Sequence, residues 1–304
     1  MTPKAIVKSI AREALAGVMT RLPLRAAVNL EFLVYHRRLP RLDDPQTFNE
    51  KLARRKLLDR NPRMPVLADK ILAKEEVGRL LGKEWLIPNL WSGNRLPPRP
   101  ERNWPIPYVL KASHASGWNI FVLSEADQDW DAIEARTGQW LRGVYGQHAR
   151  EWVYTQMTPG LLVEPYLGIG ATPPPDYKFF VFGGHTVYIQ VDLGRMQDHR
   201  QMFYDVHWKR QKFRYICPWT DEEVPQPRSL ARMIEAANIL GAGFSFVRVD
   251  LYEIDGKPLF GELSFGPNSG RYEFKPRSAE LELGRLWPDE SSLLPVDVAV
   301  LTRD

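Results

Sequence analysis

Cysteine and long apolar runs are scarce in this chain. Cys217 is the single cysteine among 304 residues, which excludes an internal disulfide and a cysteine-based metal cluster. His114 and His199 show no partner pattern typical of a metal site. No run approaches the roughly 18 apolar residues of a membrane-spanning helix, and the N-terminus lacks the apolar core of a signal peptide. These absences predict a cytoplasmic protein in a reducing compartment, with Cys217 as an inert, partly buried thiol.

The imbalance between positive and negative charge is also small. Lys and Arg total 41, Asp and Glu total 37, and the basic residues are spread along the chain. This pattern disfavours a dedicated nucleic-acid-binding protein and indicates small anionic ligands instead. With 304 residues and 44% hydrophobic content, the chain is long enough for two or three lobes with sizeable cores.

Charged side chains interrupt two predicted strands within residues 244–270. The two-residue period of the first strand places Arg248 and Asp250 on the face opposite its apolar residues. An Asp-Gly pair ending at Gly256 predicts a hairpin whose return strand brings Glu262 back toward Asp250. Because a two-residue loop would send Glu262 to the opposite face, we predict a three-residue loop ending on Gly256. That face then holds either a site for hard cations and phosphate or a solvent-facing ion pair.

The N-terminal part of the chain reads as helical. Residues 3–38 show a helical apolar pattern with a basic side, which fits either a solvated helix face or peripheral contact with an anionic membrane. A capping box formed by Thr47 and Glu50 predicts the start of the next helix. Five prolines between residues 95 and 107 predict an irregular linker between lobes.

A phosphate site is predicted where a short strand ends on Lys111. A small glycine-containing loop at residues 112–119 follows, so the lysine supplies charge and the loop supplies backbone amides. The spacing does not match a Walker loop and no helix directly follows, which disfavours a P-loop NTPase. Lys70 is a weaker candidate, because it lies on a predicted helix face where lysines are usually solvated.

Further charged residues accompany the strands that follow. Glu164 lies at the exit of an apolar strand. Asp176 and Lys178 share one face of the next strand, because they are two residues apart. Arg195 and Arg200 lie beyond it in a loop-like stretch. These residues extend the set of candidates for binding an anion.

Six short motifs follow one another along the chain: Thr47-Phe48-Asn49-Glu50-Lys51, Ala68-Asp69-Lys70, Val109-Leu110-Lys111, Arg150-Glu151-Trp152, Asp176-Tyr177-Lys178-Phe179-Phe180 and Gly261-Glu262-Leu263. Each motif is weak alone, but their joint order is specific. In this order the chain resembles the ATP-grasp superfamily. More narrowly, it is similar to the TupA-like branch, which is associated with the synthesis of teichuronopeptide and other surface polysaccharides. The resemblance spans roughly residues 40–275.

The resemblance implies the α+β ATP-grasp fold, in which two α+β subdomains clasp ATP. A helical N-terminal region precedes them. The implied division is a basic helical segment at residues 1–40, an N-terminal lobe with the proline-rich linker at 41–106, a lid subdomain at 107–165 and a catalytic subdomain at 166–304.

The resemblance also implies how the nucleotide is held. Lys111, with Lys70, would meet the α- and β-phosphates while the loop at residues 112–119 closes over them. The strand exit after Glu164 would hold the adenine, and Glu164 or Asp176 would take the ribose hydroxyls. The implied nucleotide-binding residues are Lys70, Lys111, Ser113, Ser116, Gly117, Glu164, Tyr166, Leu167 and Asp176.

The same resemblance implies which residues hold Mg²⁺ and which residues stabilise the transferred phosphoryl group. Asp250 and Glu262 would hold Mg²⁺. The family pattern places an asparagine two residues after the second acid, where this chain has Ser264, so Asn268 is the nearest substitute as third ligand. The residues implied to stabilise charge on the phosphoryl group, the acyl phosphate and an anionic acceptor are Arg248, Lys178, Arg195 and Arg200.

By this resemblance the activity is that of an ATP-dependent carboxylate–amine ligase. ATP would convert a carboxylate into an acyl phosphate, and an amine would attack it to form an amide on a uronic-acid-containing surface polysaccharide or its precursor. The expected partners are a small-molecule or glycan carboxylate and an amine donor, with ATP and Mg²⁺ as cofactors and no nucleic acid. Two alternatives stay open. One is a glycosyltransferase-like enzyme of polysaccharide biosynthesis, which needs a metal-binding Asp-x-Asp motif that we do not expect in this chain. The other is a non-catalytic nucleotide-binding protein.

Overall fold

The computed structural model describes residues 17–146, 150–194, 198–218 and 222–288. Arg195 and the first part of the predicted N-terminal helix lie outside these residues. Residues 17–21 are helical. The helices that follow are α1 (Leu24–His36), α2 (Phe48–Leu58), α3 (Arg63–Ala68), α4 (Leu72–Leu81), α5 (Trp130–Arg142), α6 (Trp152–Thr155), α7 (Leu230–Gly241) and α8 (Arg277–Leu286).

The strands of the described residues form two sheets. They are β1 (Trp91–Gly93), β2 (Tyr108–Ala112), β3 (Asn119–Val122), β4 (Leu161–Pro165), β5 (Asp176–Phe182), β6 (His185–Leu193), β7 (Arg200–Asp205), β8 (Phe246–Ile254) and β9 (Lys257–Ser264). The first sheet has the order β1-β4-β2-β3 and the second the order β7-β6-β5-β8-β9, with antiparallel neighbours throughout. Helices together with antiparallel sheets confirm the predicted α+β class.

The predicted capping box at the start of α2 is confirmed. The Thr47 hydroxyl accepts from the Glu50 amide, and the Glu50 carboxylate accepts from the Thr47 amide at 3.1 Å. Arg38 also donates to that carboxylate, at 2.5 Å. Glu50 is therefore a buried acid whose oxygens satisfy amides that the first turn of the helix leaves without partners.

The four-stranded sheet packs against α5. Tyr108 and Leu110 of β2 form one buried core with Ile133 and Trp140 of α5. The same strand carries Lys111 one residue before its end at Ala112, so this core fixes the position of the lysine.

The five-stranded sheet is covered on both faces. On one face, Phe179 of β5 and Val249 of β8 share an apolar core with residues of α3, α4 and α7. On the other face, Phe180 and Phe246 share an aromatic core with residues of α2 and α8. The two-residue period of the strands separates these two sets of side chains.

The aromatic face becomes charged toward one end of the sheet. Phe182 pairs with Phe246, Phe180 with Arg248 and Lys178 with Asp250. Because all of these residues are even-numbered positions on their strands, they lie on one face. The packed aromatic end of that face thus anchors two strands whose other end carries the charged residues.

The β8–β9 hairpin differs from the prediction in its loop. Ile254 pairs with Lys257, so the loop has two residues and the predicted three-residue loop is wrong. Asp255 has a φ of 51° and Gly256 a φ of 76°, so both loop residues are left-handed. That combination suits a two-residue hairpin turn, because it matches the twist of the flanking strands.

A β-bulge in the same hairpin restores the predicted pairing. Leu251 pairs with Phe260, whereas Asp250 pairs with Glu262, which leaves Gly261 as the extra residue. A Cβ atom on Gly261 would lie 2.9 Å from the Asp250 carbonyl oxygen, so a residue without a side chain fits there. The bulge shifts the return strand by one residue and returns Glu262 to the face of Asp250.

Candidate active site

Lys178 is the centre of a buried group of charges on the five-stranded sheet. Its Nζ donates to Asp176, its neighbour on the same strand face, and to Asp250 Oδ2 at 2.7 Å. Asp192 of β6 lies 3.8 Å from the same nitrogen. Burial alone would lower the pKa of Lys178, but the carboxylates of Asp176 and Asp250 outweigh it and raise the pKa. Lys178 is therefore a fixed positive charge.

Arg248 provides a second buried cation beside Lys178. Its Nε and Nη2 donate to the two oxygens of Asp250, each at 2.7 Å. Burial opposes the charge, yet Asp250 and Glu262 raise the Arg248 pKa further above its ordinary value. Burial in turn raises the pKa of Asp250, while Arg248 and Lys178 oppose that shift. Asp250 is thus a buried acid that orients two cations rather than part of a solvent-facing ion pair.

Glu262 lies at the more open side of this group. One of its oxygens is 3.7 Å from Arg248 Nη2 and the other is 3.6 Å from Lys70 Nζ, and its side chain is 28% exposed. Asp250 and Glu262 therefore face the same guanidinium, as the strand period and bulge together require. The distances from Glu262 to its cations exceed those of hydrogen bonds, so its oxygens are more accessible than those of Asp250.

Lys70 joins the 112–119 loop of the four-stranded sheet, here called the first lobe, to Glu262 of the five-stranded sheet, the second lobe. Its Nζ donates to the Ala115 carbonyl at 2.5 Å and lies near Glu262, and its amide donates to the Ser113 carbonyl at 3.1 Å. Ser113 itself is buried, and its hydroxyl donates to Asp69 at 2.8 Å. The side chain of Ser113 therefore positions the loop by binding Asp69.

The exposed tip of the same loop contains Ser116 and Gly117. Gly117 has a φ of 74°, and a Cβ atom there would meet nothing within 4 Å. Ser116 hydrogen-bonds with Tyr145, and that bond lowers a tyrosine pKa that burial raises. Open space around the tip is consistent with a loop that can approach a ligand through its backbone.

Glu164 binds two lysines at the junction of the lobes. It accepts from Lys111 at 2.5 Å and from Lys74 of α4, which also donates to the Ile87 carbonyl at 2.7 Å and to Asn89. Burial raises the pKa of Glu164, but the two lysines outweigh it and lower the pKa. Lys74 has its donors committed, whereas Lys111 is 21% exposed and is the more available of the two cations.

The strand exit after Glu164 is apolar. Tyr166 is buried, and within the described residues its hydroxyl has no hydrogen-bond partner. Burial raises the pKa of that hydroxyl. The ring contacts Phe121 edge-on, with 6.0 Å between centroids. Leu167 is half-buried beside it. This arrangement offers a flat apolar surface next to one free polar atom.

Two predicted site residues lie apart from this group. Arg200 is on β7 and donates to Asp198 at 2.9 Å. Asn268 is exposed in a turn, has a φ of 49° and binds the Tyr215 hydroxyl through its side chain. Neither Arg200 nor Asn268 is among the described contacts of Asp250.

Asp250 and Glu262 are the carboxylates placed to hold a metal ion. Nowhere in the described ranges do three or more His, Cys, Asp or Glu side chains form a group that could hold one. Among the described contacts, Asp250 Oδ1 accepts from Arg248 Nε, and the Glu262 side chain is 28% exposed at the open side of the group. Two such oxygen ligands fit Mg²⁺, which takes few protein ligands and fills its remaining positions with water and phosphate oxygens.

Sequence reasoning assigned no site role to Asp192, and it gave no partner to His199. The structure places His199 Nε2 3.4 Å from Asp192, and Nδ1 3.1 Å from the sulfur of Cys217. β6 and the segment before β7 bring His199 to both groups, a pairing that no pattern in the sequence indicates. Cys217 is buried, and its inertness stays a prediction.

Contrary to the expectation that the chain has no Asp-x-Asp motif, this spacing occurs from Asp127 to Asp129 and from Asp129 to Asp131, at the start of α5, where it has another role. Asp127 accepts from the Ser124 amide at 2.8 Å, and Asp129 caps the helix by accepting from the Ala132 amide at 3.0 Å. Asp131 is exposed and pairs with Arg99. These acids stabilise a helix start, and none of these contacts is with the buried cations Lys178 and Arg248.

Comparisons with known proteins agree with the motif order. The family profile described as TupA-like ATPgrasp matches residues 50–287. Among curated proteins, none matches this chain. None of the helices in the described ranges combines the length and apolar character needed to cross a membrane.

Several solved ligase structures are similar to the chain. D-alanine–D-alanine ligase from Bacillus anthracis in complex with ATP is 14% identical with a TM-score of 0.40, and the match covers 79% of this chain and 67% of that one. The Helicobacter pylori D-alanine–D-alanine ligase is 16% identical with a TM-score of 0.40, and the match covers 73% of this chain and 62% of that one. An L-amino acid ligase from Bacillus licheniformis is 12% identical with a TM-score of 0.42, and the match covers 81% of this chain and 53% of that one. The chain spans between about half and two thirds of the length of these proteins.

Proposed function

Because the chain belongs to the TupA-like ATP-grasp family, we propose that it is an ATP-dependent carboxylate–amine ligase that works through an acyl phosphate. It would form an amide on a uronic-acid-containing surface polysaccharide or on its precursor. Family membership confirms the ATP-grasp fold that the motif order predicted, while the subdomain boundaries at residues 40, 106 and 165 stay a prediction.

The observation that carries this proposal is the pair of buried cations, Lys178 and Arg248, held by Asp250. Both side chains are oriented before any ligand arrives, so their placement costs no reorganisation during the reaction. Preorganised cations in a site that excludes water stabilise negative charge that develops on phosphoryl oxygens. Transfer of a phosphoryl group to a carboxylate places charge of this kind on the acyl phosphate.

Lys111 and Lys70 would bind the α- and β-phosphates from the side of the first lobe. Lys111 is partly exposed and bound to Glu164, and Lys70 lies between the 112–119 loop and Glu262. Ser116 and Gly117 would contribute backbone amides, and Ser113 would hold the loop in place through Asp69.

The adenine and ribose would lie near the strand exit. Tyr166 and Leu167 supply apolar surface there, and Glu164 or Asp176 would accept the ribose hydroxyls. Both acids already bind lysines, so a hydroxyl would use oxygen lone pairs that the lysines leave open.

Asp250 and Glu262 would hold Mg²⁺, which when bound supplies positive charge to the β- and γ-phosphate oxygens. Asn268 would have to release the Tyr215 hydroxyl to join them.

Arg195 and Arg200 would bind an anionic acceptor. The basic N-terminal segment would allow peripheral contact with a membrane while the protein works in the cytoplasm.

The test is ADP release from ATP and Mg²⁺ with D-glucuronate or another uronic acid and an amine, followed by mass spectrometry for an amide. Hydroxylamine in place of the amine would trap the acyl phosphate as a hydroxamate, and we expect ADP and hydroxamate in equal amounts. Sugar transfer from a nucleotide-sugar without ATP consumption would favour the glycosyltransferase alternative. Nucleotide binding without turnover on any uronic acid would leave a nucleotide-binding protein.

A further inference from the structure

A cleft lies between the residues that follow α1 and the start of α8, with about 590 Å³ of empty space including its open mouth. Three of its lining residues are the cations Arg38, Lys275 and Arg277. Arg38 pairs with Glu50 at 2.5 Å. Lys275 and Arg277 are exposed, and in the described part of the chain no carboxylate lies within 4.0 Å of either. The protein therefore leaves two cations of the cleft unpaired.

The two acids of the cleft are occupied by other groups. Glu273 lies 3.2 Å from Nδ1 of His36. Glu280 is buried and accepts from the amides of Asn49 and Phe274. Burial raises the pKa of Glu280 from 4.5 to about 7, so part of its negative charge is absent at neutral pH. The lining of the cleft is therefore positive overall.

Lys275 also faces another cation. It forms an antiparallel bridge with Arg214, in which the amide of each residue donates to the carbonyl of the other at 2.8 Å. Side chains directly opposite each other in such a pair lie on the same side, and both of these are exposed. Like charges in this position repel each other and destabilise the pairing. An anion bound between them would relieve that repulsion.

The segment that carries Arg214 continues the positive surface. Lys212 is exposed two residues before Arg214, whereas Phe213 and Tyr215 are buried, so the segment alternates as a strand does. Neither Lys212 nor Arg214 has a carboxylate within 4.0 Å among the residues that the structure describes. Four exposed and unpaired cations thus form one surface, here called the cationic strip: Lys212, Arg214, Lys275 and Arg277.

The inner side of the same segment borders the candidate active site. The Tyr215 hydroxyl binds the side chain of Asn268, the nearest substitute as third metal ligand. Two residues further on, Cys217 contacts His199, and His199 lies 3.4 Å from Asp192. Asp192 belongs to the buried group of charges at the site. The cationic strip therefore lies on the outer side of a segment whose inner side contacts the site.

We propose that the cationic strip and its cleft bind an acidic polysaccharide, so that the acceptor of the ligase is a polymer rather than a free sugar. This inference rests on the proposed ligase function and narrows its substrate class. A polymer with carboxylates on successive sugars would place anions between the repelling cations while another of its carboxylates enters the active site. Each exposed ion pair is weak, so measurable affinity requires several of them on one linked chain.

The buried rings of this region disfavour two other kinds of polyanion. Phe213, Tyr215 and Phe274 adjoin the cations of the strip along the chain, but they point inward. Single-stranded nucleic acids bind through aromatic rings on which their bases stack, and binding to a lipid surface uses apolar side chains that enter it. The rings that could serve either purpose are buried here.

The test is titration of the full chain with saccharides in the absence of ATP. A D-galacturonate oligomer should bind about tenfold or more tightly than D-galacturonate itself, because its carboxylates act together. A neutral maltooligosaccharide of the same length should not bind. Raising the salt concentration from about 50 to about 200 mM should weaken binding of the oligomer about tenfold or more, since salt screens exposed charges. Isothermal titration calorimetry measures each affinity.

Arg214→Glu separates binding from folding. It converts the repelling pair with Lys275 into an opposite-charge pair, so the melting temperature should hold or rise. Its affinity for the oligomer should nevertheless fall about fivefold or more, because one attraction is lost and one repulsion is gained. Lys257→Glu makes the same charge change at an exposed position next to the β8–β9 turn, and it should bind the oligomer as the natural chain does.

Failure of this inference can be told apart from failure of the ligase proposal. Hydroxamate formation from a monomeric uronic acid does not need the strip, so Arg214→Glu should match the natural chain in that assay, and a loss there would overturn the strip assignment. Absence of hydroxamate in the natural chain would count against the ligase instead. Equal oligomer affinities of the natural chain and Arg214→Glu, or no gain of the oligomer over the monomer, would also overturn the assignment. Duplex DNA or phosphatidylserine vesicles that bind through Arg214 at least as tightly as the oligomer would do the same.

Discussion

Arg248 is the residue at which the charges of the site converge. It binds both oxygens of Asp250 and faces Glu262 across 3.7 Å. The charge that it would neutralise develops mainly during transfer. Its contribution is therefore expected in turnover more than in nucleotide affinity.

Replacing Arg248 by alanine should lower turnover about a hundredfold to a thousandfold, or roughly 3 to 4 kcal/mol of barrier. Lys178 would remain to compensate Asp250, so folding should persist. The measurement is ADP release alongside nucleotide titration and thermal melting. Arg232→Ala, which removes an exposed arginine stacked over Trp85, is the control. Normal turnover of Arg248→Ala would contradict the role given to this residue.

Lys111 is expected to act in nucleotide binding rather than in turnover. Lys111→Ala should weaken ATP binding far more than it lowers the melting temperature, because Lys74 still compensates Glu164. Nucleotide titration and thermal melting test this expectation. Lys83→Ala, in an exposed turn after α4, should change neither quantity. Unchanged nucleotide affinity in Lys111→Ala would return Lys111 to the ordinary surface lysines.

The β8–β9 hairpin shows what a sequence pattern can and cannot predict. The two-residue period predicted that Arg248 and Asp250 share a face, and the Asp-Gly pair predicted the turn. The pairing of Asp250 with Glu262 was predicted from a wrong loop length. Its actual cause is the bulge at Gly261, which depends on close approach to the Asp250 carbonyl and leaves only a lone glycine in the sequence.

The bulge makes a prediction that distinguishes it from the turn. Gly261→Ala should lower the free energy of unfolding by about 1 to 3 kcal/mol, because its Cβ would press on the neighbouring strand. It should also lower Mg²⁺-dependent ADP release by moving Glu262 relative to Asp250. Gly256→Ala, at a turn position with a φ of 76°, should cost similar stability with little loss of activity. Urea denaturation and ADP release at a temperature well below melting measure both effects. Equal losses of activity in Gly261→Ala and Gly256→Ala would contradict the prediction that the bulge positions Glu262 relative to Asp250.

For the whole molecule, the fold class and family were predictable because they depend on the order of local patterns. Contacts between distant elements were not. Lys74 and Glu164 meet across 90 positions of the chain, and no spacing rule links them. The facing pair of Arg214 and Lys275 was hidden in the same way, because only the fold brings these two exposed segments together.

Long-range packing also creates an acid whose ionisation acts on the stability of the whole chain. Glu280 of α8 accepts from the Asn49 amide of α2 at 2.8 Å and from the Phe274 amide at 2.9 Å. Burial raises its pKa from 4.5 to about 7, and the two amides only partly oppose this. The folded state then binds more protons than the unfolded state between those values. Its contribution to stability is therefore fully present below pH 4.5 and is lost as the pH rises through about 7.

Comparison of the natural chain with Glu280→Gln isolates this contribution, because glutamine keeps the size of the protonated acid and does not titrate. The free energy of unfolding of the natural chain minus that of Glu280→Gln should fall by roughly 2 to 3 kcal/mol as the pH rises from 4.5 to about 7.

Glu50→Gln provides a matched control of opposite sign. Burial raises the pKa of Glu50, but Arg38 and three backbone amides outweigh it and lower the pKa. Its contribution should be present above pH 4.5 and be lost on acidification. Urea denaturation from well below pH 4.5 up to about pH 7 measures both differences, and a Glu280 curve that is flat or rises between pH 4.5 and about 7 would contradict the prediction.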